Sequence, residues 1–258
     1  MKISLHIGQA SYDVDLQEPL DISIPVRFEG GQVTAFGAAP ARKEVYHAGD
    51  FTGDVRKGGS CNCEVYTFSP HLHGTHTEGI GHITAERLSV CDTLKDAIIP
   101  ATLITVTPQE NSDDTYTPPA RKTDKIITKK SLESVLSGAD RDFVSALVIR
   151  TRPNGSEKTA RDYNTFQPPF FSNDAMKYIA GLGVKHLLVD FPSVDRPDDE
   201  GKLSNHRIFW DSADKTITEL IFVPESVLDG HYLLNLQVAA MAGDAASSRP
   251  ILFKVKKS

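Results

Sequence analysis

A chain of 258 residues with 40% hydrophobic and 24% charged side chains can bury a sizeable core, which excludes a disordered, collagen-like or disulfide-stapled architecture. Its 28 basic against 34 acidic residues give a formal charge of −6, without a lysine or arginine block able to neutralise a run of phosphates, so nucleic acid is not an expected partner. No apolar run approaches the ~20 residues that cross a bilayer, Met1 to His6 lack the apolar stretch of a secretory signal, and Cys61, Cys63 and Cys91 are too few and odd in number for a disulfide framework; the expectation is a cytoplasmic protein with reduced thiols and no membrane partner.

In chain order, apolar alternation predicts strands over Lys2 to Ile7, Tyr12 to Leu16 and Asp21 to Val26. From Arg27 to Gly59 glycine recurs and periodic apolar positions thin out, which predicts a long excursion with one strand. Cys63 to Phe68 is a β-prone run that ends at Ser69-Pro70. Beyond lie a short helix over Thr93 to Ile98, a buried strand over Thr102 to Val106 and a helix over Ser131 to Leu136 with the serine as its cap. Phe143 to Ile149 is apolar along much of its length, as in a strand covered on both faces. A helix capped by Ser172 or Asn173 runs through Ile179, closes at Gly181 and Gly183, and leads to a strand over Val184 to Val189. Strands over Ile217 to Val223, Leu233 to Val238 and Ile251 to Val255 end the chain. Gln109 to Lys125 and Arg152 to Pro169 are polar, proline-bearing surface loops, and no linker is long enough to divide the chain. The reading is one mixed α/β domain over residues 1–258.

The chemistry concentrates where the Cys63 to Phe68 strand ends. Of nine histidines, His71, His73, His76 and His82 fall within twelve positions, together with Glu78. Neutral imidazole and carboxylate are ligands that first-row divalent metals favour, and in extended backbone His76 and Glu78 project from the same face. Gly74, Gly79 and Gly81 permit unusual backbone angles and close approach of the main chain. A histidine-rich surface turn is the bland alternative, but the density, the carboxylate and the glycines all point to a metal site. Cys61-Asn62-Cys63 has no flanking group that would activate a thiolate nucleophile.

The run Gly74-Thr75-His76-x-Glu78-x-Ile80-x-His82 resembles the signature of the cyclase family of metal-dependent hydrolases, which includes bacterial kynurenine formamidases and isatin hydrolases. The signature is commonly written His-x-Gly-Thr-His-x-Asp-x-Pro-x-His. Here the aspartate is Glu78, the proline is Ile80, and the position four before His76 is Leu72. A one-residue bulge would bring His71 to the metal, with His73 as the competing candidate. The resemblance continues through Phe170-Phe171-Ser172, the Gly183 to Asp195 run with its Asp190-x-Pro192-Ser193-x-Asp195 pattern, and His206-Arg207. It then extends over Ile217 to Leu220, Gly230 to Leu234 and Arg249 to Ile251.

Carried over residue by residue, the resemblance implies His71, His76 and Glu78 on one metal, His206 on a second, and Glu78 and Glu219 shared between them. His82 is then the catalytic proton carrier, while Asp190 and Asp195 order the neighbouring loop by bonding backbone amides. The implied cofactor is one or two divalent ions, zinc or manganese, and the longer Glu78 makes a single-ion centre a variant. The implied reaction is hydrolysis of an amide, formamide or lactam bond in a small molecule by metal-bound hydroxide, with a metal-bearing binding module lacking turnover as the alternative. Phe28, Phe36, Tyr46, Phe51, Phe170 and Phe171 are candidate pocket walls. The family further implies a swivelling β/β/α fold, a mixed sheet with a second smaller sheet and helices on one side, and assembly as a homodimer or higher homo-oligomer.

Overall fold

The computed structural model describes residues 1–110 and 112–258, so within the Gln109 to Lys125 loop Asn111 lies outside the described residues. The chain opens with an antiparallel hairpin of β1 (Lys2–Ile7) and β2 (Ala10–Asp15). The strand expected over Asp21 to Val26 shrinks to β3 (Leu20–Asp21). Side chains take the donors that a ladder would use: Ser23 N–H donates to Asp21 Oδ1, and Ile24 N–H donates to Thr75 Oγ1. The glycine-bearing excursion carries β4 (Arg42–Val45), β5 (His47–Ala48) and β6 (Phe51–Thr52) rather than one strand. β4 pairs with β7 (Glu64–Thr67), and β5 pairs with β6.

β8 (His76–Gly79) follows the histidine-bearing turn. The next helix, α1 (Val90–Thr93), lies earlier than expected, because Ser89 Oγ accepts from Cys91 N–H and starts the turn there. Ile98 instead opens β9 (Ile98–Val106). After β10 (Ile126–Ile127), α2 (Lys129–Leu136) is capped by Thr128, whose side chain accepts from Ser131 N–H; Ser131 therefore sits inside the first turn and not at the cap. Phe143 closes a 3-10 turn, and β11 (Ala146–Thr151) begins after it. β12 (Phe170–Phe171) leads into α3 (Asn173–Gly181), capped by Ser172 as expected, and then β13 (His186–Val189). No sequence signal announced α4 (Ser204–Phe209), which is entered through Leu203 at φ 47. β14 (Thr216–Glu219), β15 (Gly230–Asn235), β16 (Ala245–Ser247) and β17 (Ile251–Lys257) complete the chain.

Among the described residues the main sheet has the order β1-β2-β17-β15-β9-β11-β13-β14-β8-β16, with β3 beside β17. Its centre, β9 to β14, is parallel, and β8, β15, β16 and β17 pair antiparallel around it. The strand period of two sorts the core. Ile104, Leu147, Ile149, Leu187 and Ile217 face α2, α3 and α4, which contribute Leu132, Met176, Ile179 and Phe209. Leu103, Val148, Leu188, Tyr232 and Leu234 build a second core on the other face. The result is the expected mixed α/β fold: one large mixed sheet, small additional sheets, and these helices on one side. No helix among the described residues is long and apolar enough to cross a membrane.

Candidate metal centre

The register of β8 against β14 builds the floor of the site. Glu219 is the cross-strand partner of His76, and Ile217 that of Glu78. Directly paired residues share a face with Cβ atoms about 5 Å apart, and Ile217 looks toward the helices, so His76, Glu78 and Glu219 do so as well. His76 Nδ1–H donates to Gly74 O at 3.3 Å. This fixes the tautomer and leaves the Nε2 lone pair pointing inward, 3.4 Å from Glu219 Oε2.

His71 reaches the same place from a 3-10 turn over Pro70–Leu72, not from a bulged strand. The chain then reverses through Gly74 at φ +74, where an added Cβ would lie 2.7 Å from Ile24 O; that close approach accounts for the glycine. His71 Nδ1 lies 2.9 Å from Glu78 Oε2. His73, the other candidate, is buried but turned away: its Nδ1 meets the Ser69 backbone and its Nε2 lies 2.9 Å from Ala39 O.

His206 is delivered by α4. Its Nε2 lies 3.1 Å from Glu78 Oε1, and its Nδ1–H donates to Asp195 Oδ2 at 2.6 Å. Asp195 also accepts from the backbone N–H groups of Asn205 and His206 and from Tyr116 Oη. It therefore orders the start of α4 by bonding amides, as expected, and in addition orients the His206 ring, a task the sequence did not reveal. Asp190 remains structural, accepting from Thr151 N–H and from the Lys158 ammonium.

Two carboxylates buried side by side repel each other. Burial alone would raise Glu78, but hydrogen bonds from His206 and His71 outweigh it and hold that carboxyl well below the ordinary range. Glu219 goes the other way, raised by burial and then by the neighbouring Glu78 charge. Burial works against the charged form of His206, yet its bonds to Asp195 and Glu78 raise it well above an ordinary histidine. His71 is likewise pushed up to about 9 by Glu78 and Asp244 against the cost of burial. In this state protons on two imidazoles supply the positive charge that the acidic cluster requires.

His82 closes the site from the 3-10 turn after β8. Its Nδ1 lies 3.3 Å from Asp244 Oδ2, its Nε2 lies 3.9 Å from Glu78, and about a third of its side chain is exposed to a cavity of about 290 Å³. Asp244 also contacts His71 Nε2 at 3.0 Å. Sequence reasoning missed Asp244; its signal is an isolated acid in the small-residue run Gly243-Asp244-Ala245-Ala246. Trp210, likewise unforeseen, packs against the rings of His82 and His206. Of the six aromatic rings expected to wall the pocket, only Phe36 lines this cavity. Phe170 and Phe171 are core residues, Phe28 packs on Tyr66 and Phe68, and Tyr46 packs on Phe51.

Donor atoms of His71, His76 and Glu78, and likewise of Glu78, His82 and His206, lie within 4.8 Å of one another, as do those of His71, His82 and Asp244. The buried His76 Nε2 has no hydrogen-bond partner. An orphaned imidazole lone pair beside two buried carboxylates is costly without a cation and well suited to one, so the residues fit a divalent metal.

A mixed sheet carrying a buried histidine and carboxylate cluster at the end of its strands defines the class of protein: a fold with a built-in candidate metal centre. The chain belongs to the Cyclase family, described as "Putative cyclase", whose model matches residues 14–196. That match includes His71, His76, Glu78 and His82 and stops short of His206 and Glu219. The chain is 28% identical over 242 residues to a kynurenine formamidase of Bacillus cereus, covering 93% of this chain and 96% of that one. In fold it is similar to a predicted metal-dependent hydrolase from Bacillus stearothermophilus (TM-score 0.61, 20% identity, 92% of this chain and 98% of that one). It is also similar to isatin hydrolase A from Labrenzia aggregata (TM-score 0.63, 14% identity, 93% and 94%).

Proposed function

We propose that the protein is a metal-dependent hydrolase of amide, formamide or lactam bonds in a small molecule, kynurenine formamidase-like in its chemistry. The observation that carries this reading is the convergence of His71, His76, Glu78, His206 and Glu219 into one cluster in which the buried His76 Nε2 has no hydrogen-bond partner. The same residues would hold zinc or manganese. A divalent cation there supplies a Lewis acid that acidifies water and polarises a carbonyl oxygen.

His82 is placed to move the proton. Its Nδ1–H donates to Asp244 Oδ2, which leaves Nε2 free to accept a proton from the nucleophilic water and to return it to the departing nitrogen. A histidine suits both directions because its ordinary pKa is close to neutrality. Asp244 holds the ring in the tautomer this requires. Trp210 and the apolar core behind it keep water away from the rear of the two imidazoles.

The test is to strip the protein with chelator, reload it with zinc or manganese, and follow a panel of formanilides, lactams and cyclic imides. Hydrolysis that returns with metal supports the reading. Tight metal-dependent binding of panel members without product would instead define a binding module.

A further inference from the structure

Independently of the hydrolase reading, we infer that the protein carries a second small-molecule site, for an aromatic carboxylate, in a cavity of about 520 Å³ where the parallel strands β9, β11 and β13 end. Thr107, Thr151 and Asp190, each at or just past the carboxyl end of one of these strands, form part of its wall. The crevice at that end of a parallel sheet is where α/β proteins bind ligands. None of the metal-cluster residues lines this cavity. The chain passes from Phe191 on its wall to Pro192 on the wall of the metal cavity, so the two cavities flank one strand end.

The charge of the wall is positive: Lys125, Arg152, Lys158 and Arg161 stand against the single acid Asp190. Lys158 is not the anchor, because its ammonium donates to Thr151 O at 2.8 Å, Thr151 Oγ1 at 3.0 Å and Asp190 Oδ2 at 2.7 Å, which uses all three donors and neutralises Asp190. Arg161 differs. Its guanidinium carbon lies 4.2 Å from the centroid of the Phe166 ring and 5.8 Å from that of Tyr163, and both rings line the cavity. Its hydrogen-bonded partner is Glu157, through Nη2, and Glu157 is 62% exposed and outside the lining. Among the described residues no carbonyl or carboxylate accepts from Nε or Nη1, and neither nitrogen is among the buried polar atoms without a partner, so both reach accessible space. An ion pair with so exposed an acid contributes about 0–1 kcal/mol, too little to hold the guanidinium against a ligand carboxylate in partly apolar surroundings. Stacking on Phe166 fixes the guanidinium plane and leaves its edge for the ligand. Arg152, 3.5 Å from Glu225 and more than half exposed, adds a looser cation at the rim. Much of the rest is apolar, with Pro108, Pro153, Pro169 and Phe191, and the combination selects a flat apolar body carrying a carboxylate.

4-Fluorobenzoate and its neutral counterpart 4-fluorobenzamide provide the probes, titrated into the full chain, zinc-loaded and chelator-stripped in parallel, with binding read by fluorine NMR. In the stripped protein the carboxylate is expected to bind about tenfold or more tightly than the amide, the scale of one charge-assisted contact. Arg161→Gln is expected to bring that ratio close to one. The inference is overturned if the stripped protein shows no preference, or if the preference survives Arg161→Gln there, as it would were the carboxylate held by the protonated histidines of the empty metal site. A preference that appears only after zinc loading is a carboxylate docking on the metal and overturns it as well. Should Arg161→Gln unfold for want of packing on Phe166, Arg161→Met, which keeps an apolar stem and drops the charge, carries the same comparison. No turnover enters these measurements, so their outcome and that of the hydrolysis panel are independent.

Discussion

Replacing Asp195 by asparagine tests whether the centre is built from its outer hydrogen bonds inward. Asp195 is almost fully buried and accepts from His206 Nδ1 at 2.6 Å, His206 N–H at 3.1 Å, Asn205 N–H at 2.9 Å and Tyr116 Oη at 3.0 Å. Every one of these partners is a donor, and an amide of the same size keeps an acceptor on one side only. One side of the site must then face N–H against N–H or O–H, at a cost of about 1–3 kcal/mol for a buried group left unsatisfied. The His206 ring loses the negative charge that orients it and makes it more basic, and removing such a partner weakens metal affinity by roughly 10- to 100-fold. Metal affinity is read by competition with a chromophoric chelator, and folding by circular dichroism. Tyr116→Phe removes an Asp195 partner without touching His206 and is expected to shift affinity by less than about threefold. A folded Asp195→Asn protein with unchanged metal affinity would refute the reasoning.

His82→Ala is expected to lower kcat by roughly 10²- to 10⁴-fold while metal content by elemental analysis stays unchanged; loss of the metal instead would make His82 a ligand. Asp244→Asn leaves the proton carrier present but poorly held, so kcat should fall by a smaller factor than in His82→Ala. In the metal-free protein His71, at about 9, and His206 hold protons more tightly than the ordinary histidine value of 6.5. The stabilisation from His71 is complete below about pH 6.5 and is lost as pH rises through about 9, and that from His206 is likewise lost as pH rises through its own raised value. The melting temperature of the stripped protein should therefore fall over that window while that of the loaded protein holds, and parallel curves would contradict the assignment. Gly74→Ala, which puts a Cβ at φ +74 and 2.7 Å from Ile24 O, should destabilise by more than about 1 kcal/mol and reduce metal loading, as measured by denaturant unfolding and elemental analysis.

What could be read in advance was what local spacing encodes. The βαβ rhythm follows from apolar runs covered on both faces, and β9, β11, α3 and β13 formed close to their expected places. The extended stretch at His76 to Glu78 likewise follows from the alternation of its side chains. The misses share a different cause. The strand over Asp21 to Val26 was lost to side-chain hydrogen bonds that apolar alternation does not register. α1 and α2 were displaced because Ser89 and Thr128 compete as caps with the residues that follow them. α4 carries no apolar period and owes its position to Asp195, which accepts from the N–H groups of Asn205 and His206. Asp244 is 162 residues from His82 in sequence, and only the pairing of β16 with β8 brings the two together. The aromatic walls failed for a simpler reason: a phenyl ring is equally at home in a core, where Phe170 and Phe171 are found.

The departures from the family signature are coupled in space. His71 approaches from a 3-10 turn, and Glu78, one methylene longer than the signature aspartate, is the carboxylate its ring meets. The two oxygens of Glu78 are divided accordingly: Oε2 meets His71 Nδ1 at 2.9 Å, and Oε1 meets His206 Nε2 at 3.1 Å. A carboxylate serving a single ligand set would have both oxygens on one side. Glu78 instead stands between two sets, with His71 and His76 on one flank and His206 on the other, and Glu219 reaches from the His76 side toward His206 at 3.9 Å. Glu78 therefore ties the turn that carries His71 to the helix that carries His206, one oxygen to each.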